Sequence, residues 1–355
     1  LTSPVAPGLS HVLAGLASWP ASWIAWVAHT GASLPLATVP WPSGPIGVAI
    51  LATVLASGWL LRRWLRAAFP RGVPGGLVGI GTVFALATTV LWLVLPPDRR
   101  SWPPTGWLVI MCDVGQGDAL LVRSGEGAAV VVDAGPEPER VDRCITDARV
   151  STVPAVVLTH FHADHVDGLA GVLRGRAVPA IYVSPVREPI EQAIAVSELA
   201  AHAGIPVIPI SAGDERVVGG LRWRALWPRR VISEGSVPNN ASVVLAVDVA
   251  GRSVLLTGDV ELAAQAAILP ELAGSRFDVV KVPHHGSRDQ DPGLAPLTAP
   301  SVALISVGKG NTYGHPAAET VSEWQTAGAL VFRTDISGDV AVVTAGDGIA
   351  VVPRR

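Results

Sequence analysis

Charge is what the first part of this 355-residue chain lacks. From Leu1 to Pro97 the only strongly charged side chains are Arg62, Arg63, Arg66 and Arg71. A soluble helical region needs a polar face, so this stretch points towards lipid. Cysteine is scarce too. Cys112 and Cys144 are the only two, and neither stands in a C-x-x-C, which excludes a thiolate zinc knot. They read as buried small hydrophobes, with a single disulfide, suited to an oxidising compartment, as the alternative. Lysine is limited to Lys281 and Lys309, and the net charge is −3. The strong basic excess of a duplex-DNA binder is therefore missing. A phosphate substrate stays possible, because a metal site can hold phosphates that bulk charge does not attract. No cationic segment precedes the first apolar stretch, which argues against a signal peptide. Since the chain opens on Leu1, it is expected to be the C-terminal piece of a longer protein.

What is there falls into two regimes. "GPIGVAILATVLASGWLL" (Gly44 to Leu61) and "GVPGGLVGIGTVFALATTVLWLVLP" (Gly72 to Pro96) carry no charge, and each approaches the ~20 apolar residues of a membrane-spanning helix. The arginine loop between them is expected on the cytoplasmic side, with Trp59 and Trp64 at an interface. The following helix then leads outward, so the remainder of the chain is expected to be extracytoplasmic. Leu9 to Val27 is apolar but interrupted by Pro20, as a re-entrant or surface-lying helix would be. Residues 98–106 form a proline-rich linker.

From Trp107 onward, strand and helix patterns alternate. "WLVIMCDV", "DALLVRS" and "AAVVVDAG" read as a meander of short β-branched strands. "VPAVVLTH", "AIYVS", "VPVIPI", "LRWRALW", "SVVLAVDV", "RSVLLTGD", "FDVVKVP" and "SVALISVG" continue the strand series. Helices are expected over 137–150, 187–203, 260–273 and 316–327, with another starting at Asp164 and running to Leu173. The pattern predicts two sheets covered by helices.

The chemistry concentrates in "LTHFHADHVDGL". His160, His162, Asp164 and His165 stand within six residues directly after a buried strand. On such a loop His160 and His162 can face one metal while Asp164 and His165 face a second. Imidazole with carboxylate suits zinc, manganese or iron.

"THFHADH" resembles the signature of the metallo-β-lactamase fold, an αββα four-layer sandwich. The resemblance implies further ligands at later strand ends. Asp259 of "VLLTGD" matches the bridging carboxylate. His284 and His285 of "VKVPHHGS" match the final histidine, with His285 favoured as ligand and His284 near substrate. Asp133 of "VVVDAG" matches a residue that braces the ligand loop. The family's intermediate histidine has no counterpart. His202 reads as a surface residue, and Asn239 or Asn240 of "VPNNAS" occupies that place. This departure implies a weak or solvent-completed first metal position.

The order "DVGQGDALLV", "NNASVVL", "LLTGD", "KVPHHGS", "NTYGHP" narrows the likeness to the C-terminal domain of the ComEC competence proteins, over roughly Trp107 to Val352. That resemblance implies residues 1–97 as the last part of a membrane channel and 107–355 as the hydrolase domain. It also implies two divalent ions (Mn or Zn) and a nuclease that degrades one DNA strand during uptake. Its partners would be single-stranded DNA, membrane lipid, the upstream channel helices and the uptake machinery. Asp164, His284 and His315 are then the catalytic candidates, with His284 or His315 protonating the leaving oxygen. Asp118, Asn240, Ser287, Lys309 and Asn311 are candidates for supporting or phosphate-binding contacts. Arg222, Arg224, Arg229 and Arg230 around Trp223 and Trp227 are a candidate path for a single strand. Two other readings use the same residues: a DNA-guiding transport component with a degenerate metal site, and a hydrolase of a wall or lipid phosphodiester. The latter calls for an aromatic cage, for which Tyr and Phe are few.

Overall fold

The β-branched runs pair into two sheets. The computed structural model describes residues 102–355, together with Trp23, Gly58, Trp59 and Arg63 of the preceding segment. The spans expected between Gly44 and Pro96, and the interrupted stretch Leu9 to Val27, lie outside the described residues. Among the described residues no helix is long and apolar enough to cross a membrane. The fold belongs to the second of two units into which the chain divides, Pro96–Arg355.

In chain order the strands are β1 (Trp107–Met111), β2 (Leu120–Gly125), β3 (Ala128–Val132), β4 (Val156–Leu158), β5 (Ile181–Val183) and β6 (Val207–Pro209). Then follow β7 (Glu215–Val218), β8 (Leu221–Trp227), β9 (Val244–Val249), β10 (Arg252–Leu256), β11 (Val279–Lys281), β12 (Val302–Ile305), β13 (Leu330–Arg333), β14 (Val340–Ala345) and β15 (Gly348–Pro353). One sheet is ordered β15-β14-β1-β2-β3-β4-β5-β6, the other β13-β12-β11-β10-β9-β8-β7. Strands β3 to β6 are mutually parallel, as are β10 to β13. Parallel neighbours end on the same edge, so their exit loops meet there.

Period-two alternation sorts the core into layers. In β3, Val130 and Val132 face the second sheet while Ala129 and Val131 face outward. In β10, Val254 and Leu256 join the layer between the sheets, and Leu255 joins the outer one. The outer faces are covered by helices α1 (Pro138–Asp147), α2 (Ala163–Val166), α3 (Leu169–Leu173) and α4 (Ile190–His202) on one side. On the other side α5 (Val237–Asn240) forms one turn before β9, and α6 (Leu262–Leu272), α7 (Leu294–Thr298) and α8 (Ala318–Thr326) cover the sheet. This is the αββα sandwich that the motifs imply.

Three expectations change. The helix expected from Asp164 to Leu173 is two short turns, α2 and α3, separated at Asp167 and Gly168. A side chain at Gly168 would lie 1.9 Å from the Ala134 carbonyl oxygen, so the chain must turn closely against the β3 exit there. The C-terminal strands β13 to β15 had no counterpart in the pattern reading. They complete both sheets, with β14 paired antiparallel to β1. Cys112 and Cys144 are disulfide-bonded, not free. Cys112 sits on the outward face beyond β1, directly beneath α1, and the Cα atoms are 5.9 Å apart. Packing of α1 on the sheet brings together two thiols that the sequence places 32 residues apart.

A loop of this size, closed covalently, stabilises the fold by about 3–4 kcal/mol in the chain-entropy account. A Cys112→Ala/Cys144→Ala variant is expected to lose that amount of unfolding free energy. Denaturant titration followed by emission of the buried Trp223, Trp227 and Trp324 checks it.

Candidate metal centre

The exit loops of β3, β4, β10 and β11 converge. Asp133 follows β3, Thr159 to His165 follow β4, Asp259 follows β10, and Pro283 to Gly286 follow β11 as a short 3₁₀ turn. Asp133 adopts a φ of 59°, which turns its carboxylate back under the neighbouring loop. That carboxylate accepts hydrogen bonds from the Thr159 amide (2.7 Å) and hydroxyl (2.8 Å), and lies 2.9 Å from His165 Nδ1. The "DVGQGD" loop closes from the other side. Gly117, at φ 132°, lets the backbone approach so closely that a Cβ would stand 2.1 Å from the Asp164 carbonyl oxygen. His284 and His285 are left-handed, at φ 47° and 53°, and so aim adjacent rings differently.

Four donors meet at the centre. Ligand atoms of Asp164, His165, Asp259 and His285 all lie within 4.8 Å of one another. Asp259 Oδ2 is 3.2 Å from His165 Nε2 and 3.1 Å from His285 Nε2, and Asp164 Oδ2 is 3.3 Å from His285 Nε2. His285 Nε2 is buried without a hydrogen-bond partner. Two imidazoles and two carboxylates, one with an orphaned ring nitrogen, fit a divalent cation. His160 and His162 stand beside this cluster, Nε2 to Nδ1 at 3.0 Å. His160 Nδ1 lies near the hydroxyls of Thr159 (3.2 Å) and Ser242 (3.3 Å).

Behind the donors lies an unforeseen charge. Lys281, 1% exposed, ends β11 inside the protein. Its ammonium donates to the Gly258 carbonyl (2.7 Å) and to Asp259 Oδ1 (3.2 Å), and contacts Asp118. Asp118 in turn lies 3.3 Å from His285 Nδ1. Burial pushes the Asp118 carboxyl up, but Lys281 and His285 hold it below the usual carboxylate range. Burial likewise opposes charge on Lys281, yet Asp118 and Asp259 raise it above an ordinary lysine. With protons as the only counter-ions, burial disfavours charge on His165 and His285. Asp259, with Asp133 beside His165 and Asp118 beside His285, nevertheless raises both well above the histidine norm. The same field favours a metal cation. His160 goes the other way: burial, then His165, drives it well below that norm and leaves it neutral.

The centre forms the floor of a groove of about 810 Å³. His284, His315 and Lys309 line it, as do Arg140, Tyr313 and Arg355, which the sequence reading missed. His315 is lowered to about 4 by burial and by His284 and His285, so its ring is uncharged at neutral pH. Asn311 ties this loop, donating to the Gly308 and His315 carbonyls. Two candidates leave the site. Asn240 is fully buried, donates to the Glu234 carbonyl and accepts from the Glu261 amide, because the α5 turn points it inward; Asn239 is the one at the groove. Ser287 is buried against Gln290, with its carbonyl taken by Thr320. The arginine–tryptophan path also fails, since Trp223 and Trp227 are 1% and 2% exposed and belong to the core. His202 caps its own helix, near the Glu198 carbonyl.

The fold and this cluster define a metal-dependent hydrolase of the metallo-β-lactamase type. The family model described as the metallo-beta-lactamase superfamily matches residues 112–292, just over half of the chain, and the chain belongs to that superfamily. Among curated proteins it is similar to ComE operon protein 3 of Bacillus subtilis, with 28% identity over 254 residues, 65% of this chain and 32% of that one. It is also similar to competence protein ComA of Neisseria gonorrhoeae, with 26% identity over 349 residues, 94% of this chain and 43% of that one. These relatives bear out the likeness to the ComEC competence proteins; the chain spans a third to under half of their length. Zn(2+)-bound PqqB from Methylobacterium extorquens is a structural neighbour at TM-score 0.44 and 12% identity, covering 64% of this chain and 98% of that one.

Replacing Lys281 with Met breaks its buried pairs with Asp118 and Asp259 and leaves these carboxylates only the His165 and His285 rings. Such a loss costs about 3–5 kcal/mol. Denaturation of metal-free protein is expected to show that drop, and Asp118→Asn in the same background is expected to restore part of it.

Proposed function

We propose that this chain is a metal-dependent phosphodiesterase that cuts DNA during uptake, degrading the strand that is not transported. The observation that carries the reading is the pairing of a four-donor metal centre with a groove lined by Lys309 and by Arg140 and Arg355, the arginines also contacting Glu137 and Asp113. A phosphodiester chain is the substrate that needs both, cations along its backbone and Lewis-acid help at one phosphorus. The competence names of the relatives support DNA as that chain.

A divalent metal, when bound, supplies polarisation of a phosphoryl oxygen and of the attacking water. The protein's residues do the rest. Asp133 holds the His165 ring from behind, and the Ser306 carbonyl, with Asp118 close by, holds that of His285. Arg140 and Lys309 position flanking phosphates. His284 lines the groove and is the candidate proton donor to the leaving oxygen. Uncharged His315 beside it offers one donor and one acceptor nitrogen to the substrate and is not the acid. The exposed Tyr313 ring offers a face for one base.

The membrane anchor, the upstream channel helices and the uptake machinery as partners, and an extracytoplasmic domain, belong to the same proposal. The charge-free segments before Pro97 and the Cys112–Cys144 disulfide support it. A choline-type ester is less well served, because among the described residues Tyr313 is the only Tyr, Phe or Trp lining the groove.

The full chain in detergent, loaded with Mn²⁺, is expected to cleave single-stranded DNA. Asp164→Ala and Asp259→Ala should lower the rate by at least the roughly 10–100-fold that loss of a residue merely supporting a metal ligand costs. Lys309→Ala should raise KM, flatten the salt dependence and spare kcat. Cleavage by the two aspartate variants at the parent rate would sink the reading.

A further inference from the structure

The donor geometry divides unequally between the two metal positions that the His160 to His165 motif suggests. The cluster within 4.8 Å takes in Asp164, His165, Asp259 and His285 but neither His160 nor His162. Among the described residues no carboxylate or third imidazole joins the His160–His162 pair in such a group. The position where a further histidine is missing does not make up the deficit. Asn240 spends both amide atoms on Glu234 and Glu261, and Asn239 donates to Glu261 and offers at most one neutral oxygen. Two neutral rings with an amide oxygen are a weak cation site.

Asp259 shows the same asymmetry. Its Oδ2 faces the two ligand imidazoles, at 3.2 and 3.1 Å. Its Oδ1 faces the Lys281 ammonium at 3.2 Å. The ammonium is anchored by the Gly258 carbonyl and by contact with Asp118, so it is a fixed part of the interior. The second grouping of donors, Asp118 with Asp133 and His165, lies on the far side of the His165 ring and is already in contact with Lys281. It braces the ring and does not form another ion site.

We propose that the centre retains one divalent ion, on Asp164, His165, Asp259 and His285, and that Lys281 supplies the second positive charge where a two-ion centre would use a metal. His160 and His162 then remain unmetallated beside the ion. His162 lines the groove, where its ring can hydrogen-bond a phosphate oxygen. The inference rests on the metal-binding part of the proposed function and is independent of the DNA substrate.

Ion counting tests it. The full chain is loaded with Mn²⁺, passed through a desalting column and analysed by plasma mass spectrometry. One retained ion per chain is expected. His160→Ala/His162→Ala, and His162→Ala alone in case the double variant folds poorly, should also retain one. His285→Ala should retain none. Two ions in the parent, one of them lost in His162→Ala, would overturn the inference and leave the hydrolase reading intact. No retained ion in the parent would overturn both. The share assigned to Lys281 has its own readout. In Lys281→Met the ion is the only cation left facing Asp259, so saturating Mn²⁺ should raise the melting temperature more than in the parent. An equal or smaller rise would remove Lys281 from the proposal.

Discussion

Four carboxylates share one small buried volume, and the rest of the structure answers to that. Asp118, Asp133 and Asp259 are almost wholly inside the protein, and Asp164 is a third exposed at its side chain. Like charges so placed cannot all ionise without cations among them. Lys281, His165 and His285 are those cations, or, for the two rings, the ligands of one. The Lys281 contact with Asp118 also joins the two sheets. Lys281 ends a strand of the second sheet, and Asp118 sits in a loop of the first. Ser306 adds to this seam by donating to the Gly117 carbonyl, and the Gly308 amide donates to Gln116 Oε1.

Topology explains why such a centre is affordable in backbone terms. Parallel strands β3 and β4 in one sheet, and β10, β11 and β12 in the other, deliver their exit loops to one edge. Each loop need only place one or two side chains, so short turns suffice. Strained positions gather there: Asp133, His284 and His285 have left-handed φ values, and Gly117 and Gly168 tolerate approaches that a Cβ would block. Residues held this way persist only when surrounding contacts over-determine them. Here those contacts are the Asp133 bonds to Thr159 and the close backbone packing around Asp164.

The donor residues were legible in the sequence because each sits at a strand end with a local signature. His160 to His165 are contiguous, and Asp133, Asp259 and His285 each close a β-branched run. Lys281 was not legible. A lysine at the end of "FDVVK" reads as a solvent-facing strand terminus, and only the second sheet's position against the first shows it buried. The disulfide was hidden for a related reason, since helix α1 must pack before Cys144 lies over Cys112. The tryptophans misled in the opposite direction. Alternation with arginine in "LRWRALW" marks a half-buried strand, and the tryptophan side is the buried one. Lys309, Asn311 and His315 of the groove wall were legible, but Arg140, Tyr313 and Arg355 were missed, because they carry no local signature.

The distribution of charge carries one more consequence. The groove walls carry Lys309 together with Arg140 and Arg355, the two arginines paired with Glu137 and Asp113 of the same lining, while its floor is a carboxylate cluster with a single internal ammonium behind it. Lys281 faces Asp118 and Asp259 from the protein side, so it offsets the cluster without offering a contact to anything in the groove. A phosphate drawn in by the walls would therefore meet net negative charge at the floor unless a cation had been added on the groove side. The one face left for that cation is the one formed by Asp164 and His285, which line the groove. The arrangement thus separates two tasks that a single patch of lysines would merge. Attraction of a polyanion is placed at the rim, where Arg140, Lys309 and Arg355 are exposed to water. Activation is placed at the floor, where charge balance makes productive binding conditional on the metal.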